Sequence, residues 1–145
     1  MEAIDIWEVA RRGSFIAEAL AIVLVGKLVR DLLAMARGYK TAEIMMVKDN
    51  AAAAIDLAGF MLALVLGLVG SIIVSAESWA GQAADIAEVG LLVVGCLVLN
   101  DWVTDKLIFR GIDDHSELND KANLALALGR AASAVATGFV IRGAL

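Results

Sequence analysis

The sequence predicts an all-α integral membrane protein. Four transmembrane helices are expected as two parallel-repeat helix hairpins, behind a short N-terminal interfacial helix. Three observations carry that expectation. Hydrophobic residues make up 61% of the chain, against about 45–50% in an ordinary soluble domain, and mean hydropathy is +0.81. Residues 51–76 form one apolar run whose only charge is Asp56, and about 20 such residues suffice to cross a bilayer as a helix. Apolar side chains also surround that run instead of forming a stripe, as they do when lipid or other helices are the solvent.

Taken in order, residues 1–13 place Ala3, Ile4, Trp7 and Ala10 on one helical face, with Glu2, Asp5 and Glu8 elsewhere. That pattern suits a short helix lying in the interface, anchored by Trp7. The first hairpin repeat is expected over residues 14–76, and the second over residues 77–145. Span one covers residues 14–36, with Ser14 as its candidate N-cap. A polar connector over residues 37–49 follows, then span two, capped by Asp49 or Asn50. Residues 77–84, containing Trp79, read as a turn. Span three runs from about Asp85 to Asp105. A second connector carries Gly111-Ile112-Asp113-Asp114-His115-Ser116-Glu117. Span four begins near Asp120 or Lys121, with Ser116 and Asn119 as candidate caps. Arg11-Arg12 and the later Ala34-Met35-Ala36 imitate a twin-arginine leader. Glu18, Lys27, Arg30 and Asp31 between them do not suit a signal peptide's apolar region.

Basic residues set the expected orientation. Arg37, Lys40 and Lys48 follow span one, and Lys106, Arg110 and Lys121 follow span three. These connectors are expected in the cytoplasm, which leaves both termini periplasmic. Arg11, Arg12 and Arg142 oppose that assignment.

Two small-residue stripes stand out. Gly59, Ala63, Gly67 and Ser71 recur every four residues in span two, and Ala125, Gly129, Ser133 and Thr137 do so in span four. Small residues at this spacing let membrane helices approach closely. A shift of 70 residues superposes Gly59 on Gly129, and a shift of 74 superposes Asp31 on Asp105 and Lys27 on Asp101. Because paired spans run the same way, the expected repeat is parallel.

Glu43-Ile44, followed by Lys48-Asp49-Asn50-Ala51-Ala52-Ala53-Ala54-Ile55 and a Gly-containing apolar helix, resembles the bacterial inner-membrane family catalogued as domain of unknown function 350. The resemblance is best over residues 43–67. It is weaker over residues 117–138, where Asp120 stands for the expected Asn. It implies a two-helix unit, usually present twice, and a bacterial inner (plasma) membrane address. It implies no established activity and no catalytic residues.

The charges inside the apolar runs are the informative chemistry. Lys27, Arg30, Asp31, Asp56, Asp101 and Arg130 fall roughly 7–14 Å inside the expected cytoplasmic surface, at ~1.5 Å per residue, and Asp105 ends span three on the same side. One unpaired charge at the bilayer centre costs about 2.5–3.5 kcal/mol on insertion scales. Mutual neutralisation is therefore expected. Span one should face span three, pairing Lys27 with Asp101, while Asp56 and Arg130 close the ring.

The net charge of −5 argues against a nucleic-acid partner. His115 sits alone in a polar loop, Cys96 in an apolar run. Neither suggests a metal site, and no cofactor or enzymatic activity is expected. The expected function is that of a non-enzymatic membrane protein. It would self-associate as a homo-oligomer or dock a partner through its small-residue faces. Besides the lipid bilayer, a cytoplasmic protein or anionic lipid is the expected partner at the basic connectors. The alternative is a small ion or proton channel built on the charge network.

Overall fold

In the computed structural model the described residues are 6–71, 79–113 and 116–145, and among them all regular structure is helical. Five α-helices follow one another: α1 (Ile6–Ala36), α2 (Thr41–Met46), α3 (Ala51–Ser71), α4 (Trp79–Val103) and α5 (Leu124–Ala144). Among the described residues three segments are long and apolar enough to cross a membrane: Ala51–Val69, Ala83–Ile108 and Leu124–Ala144. Helix α1 has the length, with 31 residues, but Glu18, Lys27, Arg30 and Asp31 interrupt its apolar character.

Several expected boundaries move. Helix α1 passes through Gly13 and Ser14 without a break. Residues 6–13 therefore continue into the first long helix, and Ser14 lies inside that helix instead of starting it. Residues 1–5 lie outside the described ones, as do residues 72–78, which take in the end of the expected second span and the first two residues of the expected turn. Helix α4 already begins at Trp79, so residues 79–84 are helical.

Helix α1 stops at Gly38, whose φ of +90° is open to glycine and costly for other residues. Gly38 N–H donates to Met35 O at 3.0 Å and Tyr39 N–H donates to Ala34 O at 3.1 Å, a Schellman closure that satisfies two orphan carbonyls. Asn50 then starts α3: its Oδ1 accepts from Ala53 N–H at 3.0 Å, and its Nδ2 donates to Leu118 O at 2.6 Å. Helix α4 runs into a π-helical turn, Thr104–Ile108, in which Phe109 N–H reaches Thr104 O at 2.9 Å. A second π-helical turn covers Ser116–Asp120. Asn123, rather than Ser116, Asn119 or Asp120, caps α5, accepting from Leu126 N–H at 3.1 Å.

The same local geometry recurs 73 residues apart. Gly38 and Gly111 have φ of +90° and +89°, and Asp49 and Ala122 have φ of 50° and 49°. Each of the latter precedes an asparagine cap, Asn50 and Asn123, and a helix of 21 residues, α3 and α5. Neither expected shift, 70 or 74, is the one the backbone follows. They were guided by small residues and charges, whereas the turns fix the spacing. In the observed register Gly59 falls on Ala132 and Lys27 on Asn100.

Helix α3 is central and makes its most extensive contact with α5. Phe60, Leu64, Leu68, Val93, Val94, Leu97 and Ile141 form the main core, and Ala52, Leu118, Leu126 and Ala127 a second cluster at the connector end. Glycines set the approach. A Cβ on Gly138 would lie 2.6 Å from Ala63 O and 2.9 Å from Ala63 Cα, and one on Gly59 would lie 2.5 Å from Ala131 Cα. Gly67 faces Val93 of α4. The α3 stripe Gly59, Ala63 and Gly67 is thus covered within the chain; the side chain of Ser71 lies outside the described ones. The α5 surface against α3 is Ala127, Ala131, Ala134 and Gly138, not the expected stripe. Ala125 is exposed, Gly129 faces Phe109, and Ser133 and Thr137 turn toward α4.

Gly138→Ala should destabilise the protein by about 1–3 kcal/mol, the usual cost of overpacking, because the added methyl meets α3 backbone. Gly95→Ala, with nothing within 4 Å of the added Cβ, should change little. Unfolding followed in mild detergent measures both; equal stability of the two variants would contradict the close α3–α5 approach.

Candidate functional site: a buried arginine–aspartate layer

All four long helices contribute charge to one layer. Arg30 of α1 is 4% exposed and Arg130 of α5 likewise 4%. Between them lie Asp56 of α3, Asp101 of α4 and Asp105 of the following π-helical turn. Arg30 pairs with Asp56 and reaches Asp101 at 2.9 Å. Arg130 Nε donates to Asp56 at 3.0 Å, while its two terminal nitrogens pair with Asp101 and Asp105. Arg37, just beyond α1, closes the open side: its Nη2 contacts Asp101 at 2.9 Å and Asp105 at 3.0 Å. The Arg30 guanidinium also lies 5.4 Å from the centre of the Phe60 ring, within cation–π range.

Three guanidiniums face three carboxylates, so the layer is neutral, and every carboxylate touches at least two cations. Buried charge is tolerated only with such pairing, because desolvating an ion costs several kcal/mol even after relaxation. Planar guanidiniums suit the task, since each presents five donors in a rigid fork. Local geometry explains the convergence. Asp101, Thr104 and Asp105 follow one face at the end of α4, and the π-helical turn begins there. Arg30 and Arg37 are seven residues apart, two turns of α1, on the face that also buries Ala34.

A polar step adjoins the charges. Thr104 and Ser133 hydroxyls are 3.2 Å apart, and Ser133 and Thr137 both donate to Asn100 Oδ1, at 2.9 and 3.0 Å. A cavity of about 10 Å³ opens among Arg30, Asp56, Asn100, Asp101, Thr104 and Arg130, room for about one water. Beyond it lie Leu64, Val93 and Leu97, all at most 1% exposed. Among the described residues, buried charged side chains occur in this layer alone.

The structure brings together Arg30, Asp56, Asp101, Asp105 and Arg130 and sets two expected members apart. Lys27 pairs with Asp31 on its own helix, both partly exposed. Lys27 therefore does not meet Asp101, whose α1 partner is Arg30 on the buried face. Arg37 was overlooked because it follows the apolar run and reads as connector; its seven-residue spacing from Arg30 was the available signal. Glu18, which the sequence places toward the opposite end of α1, keeps one carboxylate oxygen buried without a hydrogen-bond partner among the described atoms. Cys96 is a free, half-buried thiol, and His115 lies outside the described residues. Among the described residues, no group of His, Cys, Asp and Glu is arranged to hold a metal ion.

The family model described as Domain of Unknown Function (DUF350) matches residues 8–145. The chain belongs to that family. No curated protein and no solved structure matches it. The match to the DUF350 model takes in every member of the charged layer, together with both connectors. In the second connector of this DUF350 protein, Lys121 Nζ donates to Glu117 at 2.6 Å and Asn123 Nδ2 donates to Glu117 at 2.9 Å. These bonds hold the Glu117 carboxyl below its usual range, and the hydrogen bond to Glu117, with its charge, raises Lys121. The lowered acid contributes its contact above the unfolded carboxyl range and loses it as pH falls through the lowered value.

Breaking the layer should be costly where the members are buried. Arg130→Met leaves three carboxylates short of a cation and should lose about 3–5 kcal/mol, the cost of breaking a buried pair. Replacing Lys27 and Asp31 together with alanine should cost less than about 1 kcal/mol, as for an exposed i,i+4 pair. Equilibrium unfolding in detergent compares them, and equal losses would contradict the division drawn between the two groups.

Proposed function

We propose that this DUF350 protein is a non-enzymatic bacterial inner-membrane subunit whose α1, α3, α4 and α5 cross the bilayer as two parallel hairpins. The neutral arginine–aspartate layer acts as its fastener, setting the relative register of the four helices. The observation that carries this reading is the saturation of the layer: each acid already meets two or more guanidiniums. A group exchanging ions or protons needs a spare partner, and saturated pairs offer none.

Helix α1 is taken as the fourth span because three of the four charges that interrupt it, all but Glu18, are paired. Arg30 is buried in the layer, and Lys27 and Asp31 neutralise each other. Its 31 residues extend about 46 Å at ~1.5 Å each, more than the ~30 Å hydrocarbon core. The 73-residue recurrence of turns and caps supports an internal duplication with both repeats oriented alike. The basic connectors support a cytoplasmic position for the charged end and periplasmic termini. Self-association or partner docking remains part of the proposal, but the α3 stripe is occupied by α5 and α4. The outward apolar faces, such as Leu91, Leu99, Phe139 and Val140, are what remain for lipid or another protein.

The channel reading keeps one supporting observation, the polar step through Asn100, Thr104, Ser133 and Thr137 beside a water-sized cavity. Flux assays on protein reconstituted into sealed vesicles decide between the two. The fastener reading predicts no proton or alkali-ion flux above lipid background between pH 5 and 8, and none gained in Asp56→Asn. Flux in the native protein that Asp56→Asn abolishes would replace this proposal with the channel.

A further inference from the structure

At the connector end of α1, outside the charged layer, a pocket of about 390 Å³ is lined by Met35, Tyr39, Lys40, Glu43, Ile44 and Lys48, with Gly38. That volume falls in the range of small-molecule sites. Its chemistry is divided. Two ammonium groups and one carboxylate stand beside the apolar walls of Met35 and Ile44. Its surroundings are apolar on the outside: Met46 is 81% exposed and Val47 77% exposed, immediately before Lys48.

A strip of apolar side chains leads to this pocket. Leu20, Leu24, Leu28 and Leu32 recur every four residues along α1 and Met35 follows, all more than half exposed. From residue 20 to residue 35 the strip extends about 22 Å, more than the ~15 Å of one hydrocarbon leaflet. An apolar strip that ends in a pocket with two lysines has the two-part character of a membrane lipid: chains below, phosphate above.

We propose that the pocket binds the headgroup of an anionic glycerophospholipid. Lys40 and Lys48 receive its phosphate, Met35 and the α1 strip take an acyl chain, and Met46 and Val47 seat α2 in the same leaflet. The excess of one positive charge over Glu43 selects anionic over zwitterionic headgroups, since basic residues near the membrane surface attract acidic lipid. Tyr39 lines the wall at the depth where tyrosine is favoured, the lipid–water interface. The other half places Ile112, Asp113 and Ser116 at the positions equivalent to Tyr39, Lys40 and Glu43, 73 residues on, and keeps a lysine only at that of Lys48, as Lys121, so that it lacks the pair. The site therefore belongs to the first half alone.

The inference rests on α1 being membrane-embedded, and the experiment separates the two. The full chain is reconstituted with equal amounts of phosphatidylglycerol and phosphatidylcholine, re-extracted in mild detergent, and its retained lipid counted by native mass spectrometry. Expected is preferential retention of phosphatidylglycerol, lowered roughly tenfold or more in Lys40→Ala/Lys48→Ala. Lys106→Ala/Arg110→Ala should leave it unchanged, and Lys40→Arg/Lys48→Arg should preserve it, which separates lost charge from lost folding. Raised retention in Glu43→Gln supports the charge argument. Equal retention of both lipids, or retention indifferent to the two lysines, overturns the proposal. Release by millimolar inorganic phosphate overturns it in favour of a free phosphate compound, and a second copy found covering the pocket overturns it in favour of a dimer contact. Failure of the membrane reading is distinct: the native chain would then not enter vesicles at all.

Discussion

The Arg130 guanidinium meets three carboxylates, Asp56, Asp101 and Asp105, contributed by α3, by α4 and by the turn that follows α4. A single buried cation thereby ties α5 to two other helices. Arg30 repeats the arrangement from α1, tying it to Asp56 and Asp101. Removing either arginine leaves acids that neither water nor lipid can solvate at that depth. The direction of the energetics is clear: such pairs add little net stability over a well-packed apolar replacement, but losing one partner is expensive. Their use is specificity, because a helix shifted by one turn would strand its charge.

Close packing and charge divide the work. On the core side of the layer, α3 and α5 approach through Gly59, Ala63, Ala131 and Gly138, where dispersion and backbone contact replace the hydrophobic effect that lipid cannot supply. At the layer itself the helices are joined by the arginine–aspartate pairs. Backbone turns on the connector side complete the frame: Asn50 caps α3 and also bonds Leu118 O of the other half. The layer, the glycine contacts and the Asn50 cap all converge on α3.

The 73-residue recurrence sharpens what the two halves share. The turns, the caps and the lengths of α3 and α5 correspond, and Arg37 falls on Arg110, but the other charges of the layer have no like counterpart. In that register Asp56 falls on Gly129, Arg130 on Leu57, Arg30 on Val103 and Asp101 on Leu28. Two like scaffolds thus carry complementary charges at non-equivalent positions.

Much of this was legible in the chain because a charge in an apolar run is costly and must be answered. That argument finds Arg30, Asp56, Asp101, Asp105 and Arg130. It fails for Lys27, where helical spacing gives a face but not the neighbour, and for Arg37, which lies past the apolar run. The α5 packing surface was misread because Ala127, Ala131, Ala134 and Gly138 are as small as Ala125, Gly129, Ser133 and Thr137; size alone does not choose between adjacent stripes. Asn123 escaped notice because its cap depends on the backbone at Ala122, not on a neighbouring Asp or Lys. The most direct measurement of the fastener is a double-mutant cycle between Asp56→Asn and Arg130→Gln, read by unfolding in detergent. The account predicts a coupling of about 2 kcal/mol or more, within the range for residues of one network. Additive losses would mean that the two residues stabilise the protein independently, contradicting the claim that the layer is one interlocked unit.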